Sequence, residues 1–403
     1  MKLCSSTTAL RLRRPSAHVL GTASDVEKHL PLLHSLSKGA KRGVPGWVQQ
    51  PPLNSTEIVD RKRSASWLEV TYPFASDTEL RDHYQLADGS SLRAGMFLEE
   101  LDAFSADCAF RHCDGTSQAR PLTVVTAAHD GLALEPGTSL TMTSDLRLRG
   151  AVVNVGRSSM EVQTDVLRVD SDGSEEYTGS VFTIMVARDA ENVHAASVHR
   201  LVGGDSKPWA AEAAKARSAR RRQLAATALD LVPPADDEVP ILHELWRSGG
   251  EGGGRVVPMA ETVQTQLDIQ QPAHRNMNGF MFGGYIMRRA LEVGWLSAYR
   301  FTKRPPRFVG LDDVAFKKPV PVGSLIEFVA RVAYAADNGE IRVHVKAERV
   351  SLRSGRREMT NQLNFTMVDP EADAADLPRV KPESYEEGMV YLEGRRRAAA
   401  SLT

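Results

Sequence analysis

Cysteine is scarce. Only Cys4, Cys108 and Cys113 occur in 403 residues, too few for a disulfide framework, so the chain reads as a protein of a reducing compartment. Neither sign of charge dominates: 50 Lys and Arg face 51 Asp and Glu, a formal net charge of -1. The general positive field on which nucleic-acid binding draws is therefore missing, and no nucleic-acid partner is expected. Long apolar runs are missing too. The most apolar stretch, Gly279 to Met287, is closed by Arg288 and Arg289, well short of the roughly 18 residues that a membrane span needs. Asp312-Asp313 and the scattered histidines show no ligand spacing, and Cys108 with Cys113 lacks the second pair that a zinc site uses. Glycine-rich phosphate loops and dinucleotide fingerprints are absent as well. No metal and no cofactor is expected. What is present, 42% hydrophobic and 25% charged residues, is the composition of a globular protein long enough for two or three domains.

Residues 1–24 carry Lys2, Arg11, Arg13 and Arg14 among serines and threonines, with no acid before Asp25. That is the composition of a mitochondrial transit peptide, and a matrix location follows from it. A polar, turn-rich arm fills 25–64. The rest is written twice: a first copy from about Trp67 to Asp189, and a second from about Thr262 to Asp369. Each copy has a strand-like stretch, a polar loop, a helix entered at a glycine (Gly95, then Gly284, an offset of 189) and several alternating β-branched strands. One helix and a meander of strands, repeated, is an α+β pattern. The expected division is a first domain over 65–203, a helical and flexible linker over 204–258, a second domain over 259–372 and a C-terminal tail over 373–403. Within the linker, a basic helix is expected from Trp209 to Leu231, with its arginines on a solvated face. A short helix follows around Ile241 to Trp246.

In the second copy, apolar residues from Tyr285 to Tyr299 cover almost the whole helix circumference, which predicts a buried helix. Before it stands His274-Arg-Asn-Met-Asn-Gly-Phe-Met-Phe-Gly-Gly284. Gly283 and Gly284 at a helix start leave backbone N–H groups without intrahelical partners, backed by the positive end of the helix dipole. Such amides can hold a developing oxyanion, and the missing side chains let a carbonyl approach.

This loop resembles that of the hot-dog acyl-CoA thioesterases, whose pattern is His-x-Asn-x-x-Gly-x-x-(His/Phe)-Gly-Gly before the central helix. Leu311-Asp-Asp-Val-Ala-Phe-Lys-Lys-Pro, Tyr385-Glu-Glu-Gly-Met-Val-Tyr-Leu-Glu-Gly and Gly95-Met-Phe-Leu-Glu-Glu-Leu-Asp-Ala are similar to the mitochondrial two-domain members, the acyl-CoA thioesterase 9 type. The resemblance spans roughly residues 60–395 and implies tandem hot-dog domains, each a curved antiparallel sheet wrapped round one helix. It also implies hydrolysis of acyl-CoA to fatty acid and coenzyme A, and a homo-oligomer, a trimer. In that family the catalytic carboxylate follows the first glycine of the pair by eight residues. The second copy has Leu291 there, and the repeat offset carries the position to Asp102 in the first copy.

The losses are complementary, since Asn276 and Gly283 correspond to Ala87 and Ala94. One composite site is expected: Asp102 as general base or nucleophile, Asn276 orienting water or the intermediate, and Gly283 with Gly284 on the carbonyl oxygen. His274, Gly279 and Phe282 are supporting candidates, with Phe282 as wall. The alternative for Asp102 is a solvated helix-edge acid like Glu99 or Glu100. Arg157, Ser158, Ser159, Lys317 and Lys318 are candidates for the coenzyme A phosphates. The counterpart made of Asp88 to Arg93 and Glu292 is either inactive or a place for a regulatory nucleotide. Two competing readings are a non-catalytic acyl-CoA or nucleotide sensor and an enoyl-CoA hydratase; the second wants an Asp and His pair on one loop, and His274 has only Asn276 beside it.

Overall fold

The computed structural model describes residues 58–400 apart from 88, 90, 114–121, 135–139, 141, 190–191, 204–207, 248–254, 277–278, 313, 337 and 372–376. The transit-peptide segment, most of the arm and the glycine run near 250 lie outside the described residues. The chain divides into two compact units. Unit 1 holds 58–127, Leu134–Ala210 and Pro272–Gly284; unit 2 holds Ala128–Ala133, Ala211–Gln271 and Tyr285 onward.

Unit 1 contains β1 (Leu68–Tyr72), α1 (Thr78–Tyr84), α2 (Ala94–Cys113), most of β2 (Leu122–Leu134), β3 (Asp145–Val155), β4 (Ser159–Val169) and β5 (Glu175–Asp189). Its sheet runs β1-β3-β4-β5-β2, and the first three pairings are antiparallel. Alternation decides the faces. On β3, Leu146 and Leu148 are buried, while Arg147 and Arg149 form ion pairs with Glu69 and Glu175. Helix α2 packs across β1, β3, β4 and β5. It comes so close to β3 that a Cβ at Gly150 would sit 2.8 Å from the Phe104 ring and 2.6 Å from the Gln163 carbonyl oxygen. Phe97, Leu98 and Leu101 on the helix meet a core that includes Leu148, Val162 and Met185.

Unit 2 contains α3 (Pro208–Ala226), α4 (Val239–Arg247), β6 (Gln264–Ile269), α5 (Gly283–Thr302, beyond its first two residues), β7 (Arg307–Leu311), β8 (Leu325–Ala335), β9 (Glu340–Val350), β10 (Arg357–Val368) and α6 (Tyr385–Ala400). The sheet order is β6-β8-β9-β10-β7, with every pairing antiparallel. This is the order of unit 1 again. Gly294 of α5 lies against Val343, Val345 and Phe365 on β9 and β10. Leu229, Leu242, Met389 and Leu392 make a smaller core that ties α4 and α6 together.

The repetition reaches single hydrogen bonds. The β3–β4 register shifts between Val152 and Asn154, and the β8–β9 register shifts between Val332 and Tyr334. At each bulge a hydroxyl accepts the strand N–H: Ser66 from Val152 and Thr262 from Val332, both at 3.0 Å. A second shift, in β4–β5 and in β9–β10, is closed by Thr178 donating to the Val166 carbonyl and Thr360 donating to the Ala347 carbonyl. Bulges bend strands, and these four sit at matching places in the two sheets. A sheet of this order round a central helix, built twice, is the tandem hot-dog fold.

Four expectations need correction. Helix α5 is not buried all round, because Leu296 and Tyr299 are 49% and 40% exposed. Helix α2 is the more enclosed of the two. Glu99 and Glu100, expected to be solvated, are buried; α1 and β1 reach this helix through Tyr84 and Tyr72, whose hydroxyls both donate to Glu100. Nor is the basic face of α3 simply solvated, because Arg221 and Arg217 pair with the enclosed carboxylate of Asp130. That helix also ends at Ala226, five residues short of Leu231.

Candidate active site

The loop Pro272–Gly284 belongs to unit 1, although it is written in the second copy. Its shape follows from its residues. The Asn276 N–H donates to the Phe280 carbonyl at 2.6 Å, and the Asn276 side-chain oxygen accepts from the Phe280 N–H at 3.1 Å. Gly279 donates back to the Asn276 carbonyl at 3.2 Å with φ at +76°, a left-handed conformation that glycine adopts without strain. Phe282 donates to the His274 carbonyl at 2.9 Å, and Arg275 bridges to Met281. The result is a tight turn that delivers Gly283 and Gly284 to the start of α5. Asn276 therefore shapes the loop with its oxygen.

Asp102 points from α2 to that helix start. Its Oδ2 accepts the Gly284 N–H at 2.6 Å, and its Oδ1 accepts the Thr126 hydroxyl at 2.7 Å. The residue is 0% exposed. Gly284 is pressed directly on α2: a Cβ there would fall 2.9 Å from Glu99 Cα, 3.0 Å from Asp102 Cβ and 2.8 Å from the Phe282 ring. The glycine is thus required for helix contact. The two glycines, expected to act together on a carbonyl oxygen, have different partners. Gly284 serves the carboxylate, whereas the Gly283 N–H, at the first position of α5, meets no acceptor among the described residues.

Asp102, Asn276, Gly279, Phe282, Gly283 and Gly284 are brought together, and the His274 backbone with them. Thr126 was not anticipated. A threonine in a β-branched strand carries no signal of its own, and only the sheet order places it under α2. Arg157, Ser158 and Ser159 form the turn between β3 and β4, and their carbonyls accept from Val198, Ala187 and Gly156. No bond joins them to the Asp102 cluster among the described residues. Lys317 and Lys318, in unit 2, reach Gln362 and Glu358, so Lys318 is already neutralised. Glu292 pairs with Arg288 and Arg289. A second buried carboxylate lies two residues before Asp102: burial raises Glu100 from 4.5 to about 7 against the opposing Tyr84 and Tyr72 hydrogen bonds, and the Glu99 charge raises it further. No group of three or more metal-ligating side chains occurs among the described residues, and no described helix is long and apolar enough to cross a membrane.

A carboxylate pinned between a hydroxyl and a backbone amide, beside a helix N-terminus whose first N–H meets no acceptor among the described residues, in a tandem hot-dog fold, is an arrangement suited to the thioester hydrolases of that fold. No protein-family model matches the chain. Mus musculus acyl-coenzyme A thioesterase 9, mitochondrial, is 32% identical over 357 residues, covering 86% of this chain and 80% of the relative. The Homo sapiens thioesterase 9 is 31% identical over 379 residues, covering 91% and 81%. Acyl-coenzyme A thioesterase 2, chloroplastic, of Humulus lupulus is 32% identical over 366 residues, covering 85% and 82%. Among solved structures, an acyl-CoA hydrolase of Bacillus cereus has a TM-score of 0.34 at 24% identity, covering 36% of this chain and 88% of that one. An acyl-ACP thioesterase of Bacteroides thetaiotaomicron has a TM-score of 0.44 at 13% identity, covering 76% and 99%. The chain belongs to the acyl-coenzyme A thioesterase family that includes thioesterases 9 and 10, and its activity is hydrolysis of acyl-CoA.

Proposed function

We propose that hydrolysis takes place at a single site built from Asp102 of the first copy and the Asn276–Gly284 loop of the second, with Asp102 as general base. The observation that carries this reading is the Gly284 N–H bond to Asp102 at 2.6 Å, which joins the retained acid of one copy to the retained loop of the other. Both carboxylate oxygens are held, Oδ1 by Thr126 and Oδ2 by Gly284. Held on both sides, the carboxylate is fixed in orientation, as a group that takes a proton from water must be.

In the reaction, water loses its proton to Asp102 and attacks the thioester carbonyl. The oxygen that gains charge lies against the Gly283 N–H, where the helix dipole and an open donor stabilise it. The Asn276 side-chain amide nitrogen orients the water or the tetrahedral intermediate while its oxygen keeps the loop closed. Collapse breaks the C–S bond; the coenzyme A thiolate leaves and takes up a proton, and the fatty acid is the other product. Phe282, buried with its ring against Gly284, forms a wall beside the acyl carbon. Arg157, exposed in its turn, remains a candidate for the coenzyme A phosphates. The N-terminal composition and the mitochondrial relatives support import into the matrix, with removal of a leader near residue 24.

The test is thiol release from a series of acyl-CoA lengths by the wild type, Asp102→Asn and Asn276→Ala. A loss of at least about a hundredfold in Asp102→Asn, roughly 2.7 kcal/mol of transition-state stabilisation, is expected. Full activity in that variant would end the assignment, and silence of the wild type on every length would favour an acyl-CoA sensor.

A further inference from the structure

A helix can turn about its own axis. Asp102 is tied on its side of α2 to Thr126 and to the Gly284 N–H, yet a rotation of only about 10° would carry a carboxylate some 5–6 Å from the axis through about 1 Å. The opposite side is held by Glu100. At about 100° per residue, two residues set Glu100 about 200° round the helix from Asp102. Its two oxygens have different donors, the Tyr72 hydroxyl on Oε2 at 2.9 Å and the Tyr84 hydroxyl on Oε1. Tyr72 belongs to β1 and Tyr84 to α1, so two elements grip the helix at one residue. The donors are themselves fixed: the rings of Tyr72, Phe74 and Tyr84 pack on one another with centroids 5.5 to 6.0 Å apart, and all three are buried. One turn beyond Asp102, Ser105 adds a third tie by donating to Thr183 of β5 at 2.9 Å.

Stability alone gives little reason for this arrangement, because replacing a buried polar group and its partners by apolar groups of similar shape is often neutral or stabilising. The second copy does without it. The offset of 189 puts Arg289 at the place of Glu100 and Gly294 at that of Ser105. Arg289 pairs with Asp268 at 3.4 Å, with the two side chains 22% and 27% exposed, and Gly294 lies against Val343, Val345 and Phe365. The enclosed carboxylate therefore stands on the helix that keeps the acid. Where the other helix has Leu291 in place of the acid, the matching tie is an ion pair open to water.

We infer, on the reading of Asp102 as the base, that Glu100 is its positioning residue: gripped by Tyr72 and Tyr84, it fixes the rotation of α2 and with it the place of the carboxylate that acts on water. Glu100 works through Asp102 and touches no reacting atom, so it governs turnover and not substrate binding. Misplacement of a reacting group by 1 Å costs about a hundredfold. Release of the grip is accordingly expected to lower kcat at least about tenfold and to leave KM little changed.

The experiment is steady-state thiol release from acyl-CoA, with thermal unfolding measured alongside. It compares the wild type, Glu100→Gln, Glu100→Leu, an apolar triple variant (Glu100→Leu with Tyr72→Phe and Tyr84→Phe), Asp102→Asn, and Asp102→Asn carrying the triple change. Glutamine accepts from one tyrosine and donates to the other, so Glu100→Gln is expected to hold kcat within a few-fold of the wild type. Glu100→Leu and the triple variant are expected to lose at least about tenfold in kcat at nearly constant KM. The triple variant leaves no buried polar group unpaired and is expected to melt no lower than the wild type, which separates lost positioning from lost fold. On Asp102→Asn the triple change is expected to add less than about twofold, as for groups that act as a unit. A triple variant with the wild-type kcat overturns the inference. So does a loss confined to KM, a Glu100→Gln variant as slow as Glu100→Leu, or a triple change that slows Asp102→Asn in full proportion. Full activity in Asp102→Asn would instead end the base assignment itself, a result distinct from an inert Asp102→Asn beside a fast triple variant.

Discussion

Gly284 carries two duties that one methyl group separates. Replacing it with alanine places a Cβ 2.9 Å from Glu99 Cα and 3.0 Å from Asp102 Cβ, against backbone on one side and the side chain of the proposed base on the other. A flexible chain end could swing aside; the α2 backbone cannot, so the Gly284 backbone must move off α2 by several tenths of an ångström. Overpacking of this kind costs about 1–3 kcal/mol. Against it, alanine inside a helix is favoured over glycine by about 1 kcal/mol, so net stability falls by about 0–2 kcal/mol. The effect on rate is larger. That movement stretches the 2.6 Å bond to Asp102 and displaces the proposed base from its water, and misplacement toward 1 Å costs about a hundredfold. Gly284→Ala is therefore expected to melt only a few degrees lower, yet to release thiol from acyl-CoA about a hundredfold more slowly. An alanine variant with wild-type turnover would refute the reasoning, because it would show that the contact sets neither the position of Asp102 nor the rate.

Thr126→Val keeps the shape and removes the hydroxyl that donates to Asp102 at 2.7 Å; a hydrogen bond to a charged group is worth about 1.5–3 kcal/mol, so kcat should fall about ten- to a hundredfold with KM little changed, and Thr126→Ser should recover most of it. Glu100 is pushed up to about 7 by burial. The folded chain then keeps a proton that the unfolded chain releases from about 4.5 upward, so this contribution, about 3 kcal/mol, is fully present below pH 4.5 and is lost as pH rises through about 7. His112 and His344, lowered by burial, act with the opposite sign, so the comparison must be between variants. Denaturant unfolding from pH 5 to 8 should show a flatter loss of stability in Glu100→Gln than in the wild type, and parallel curves would contradict it. Asp130→Ala removes the anchor of Arg221 and Arg217; trypsin should then cut the basic run of α3 several-fold faster than in the wild type, with the β-sheet cores resisting as before.

The repeat and the loop could be read from the sequence, and Asp102 could be singled out as a candidate, because each rests on local spacing. Asn276 and Gly279 build a turn from their own atoms, and an offset between copies needs no knowledge of distance. What could not be read depends on contacts across the chain. Thr126 meets Asp102 only because β2 lies beside β5 in the sheet, and Gly284 finds Asp102 across 182 residues. Glu99 and Glu100 were expected in solvent, since nothing local announces their burial or that Tyr72 and Tyr84 both donate to Glu100. For the same reason α5 was expected to be wrapped completely, although its apolar residues outnumber those that the sheet covers, and Leu296 and Tyr299 stay outside. The arginines of α3 follow suit, because their partner Asp130 lies in a distant strand.

The central claim is that one copy supplies the base and the other the loop of a single working site. A double-variant cycle of thiol release tests it most directly, with Asp102→Asn, Asn276→Ala and the pair together. Residues that act as a unit lose function together, so the double variant should be no more than a few-fold slower than Asp102→Asn alone. Losses that multiply in full, or a wild-type rate in either single variant, would show that the acid and the loop do not serve the same reacting carbonyl.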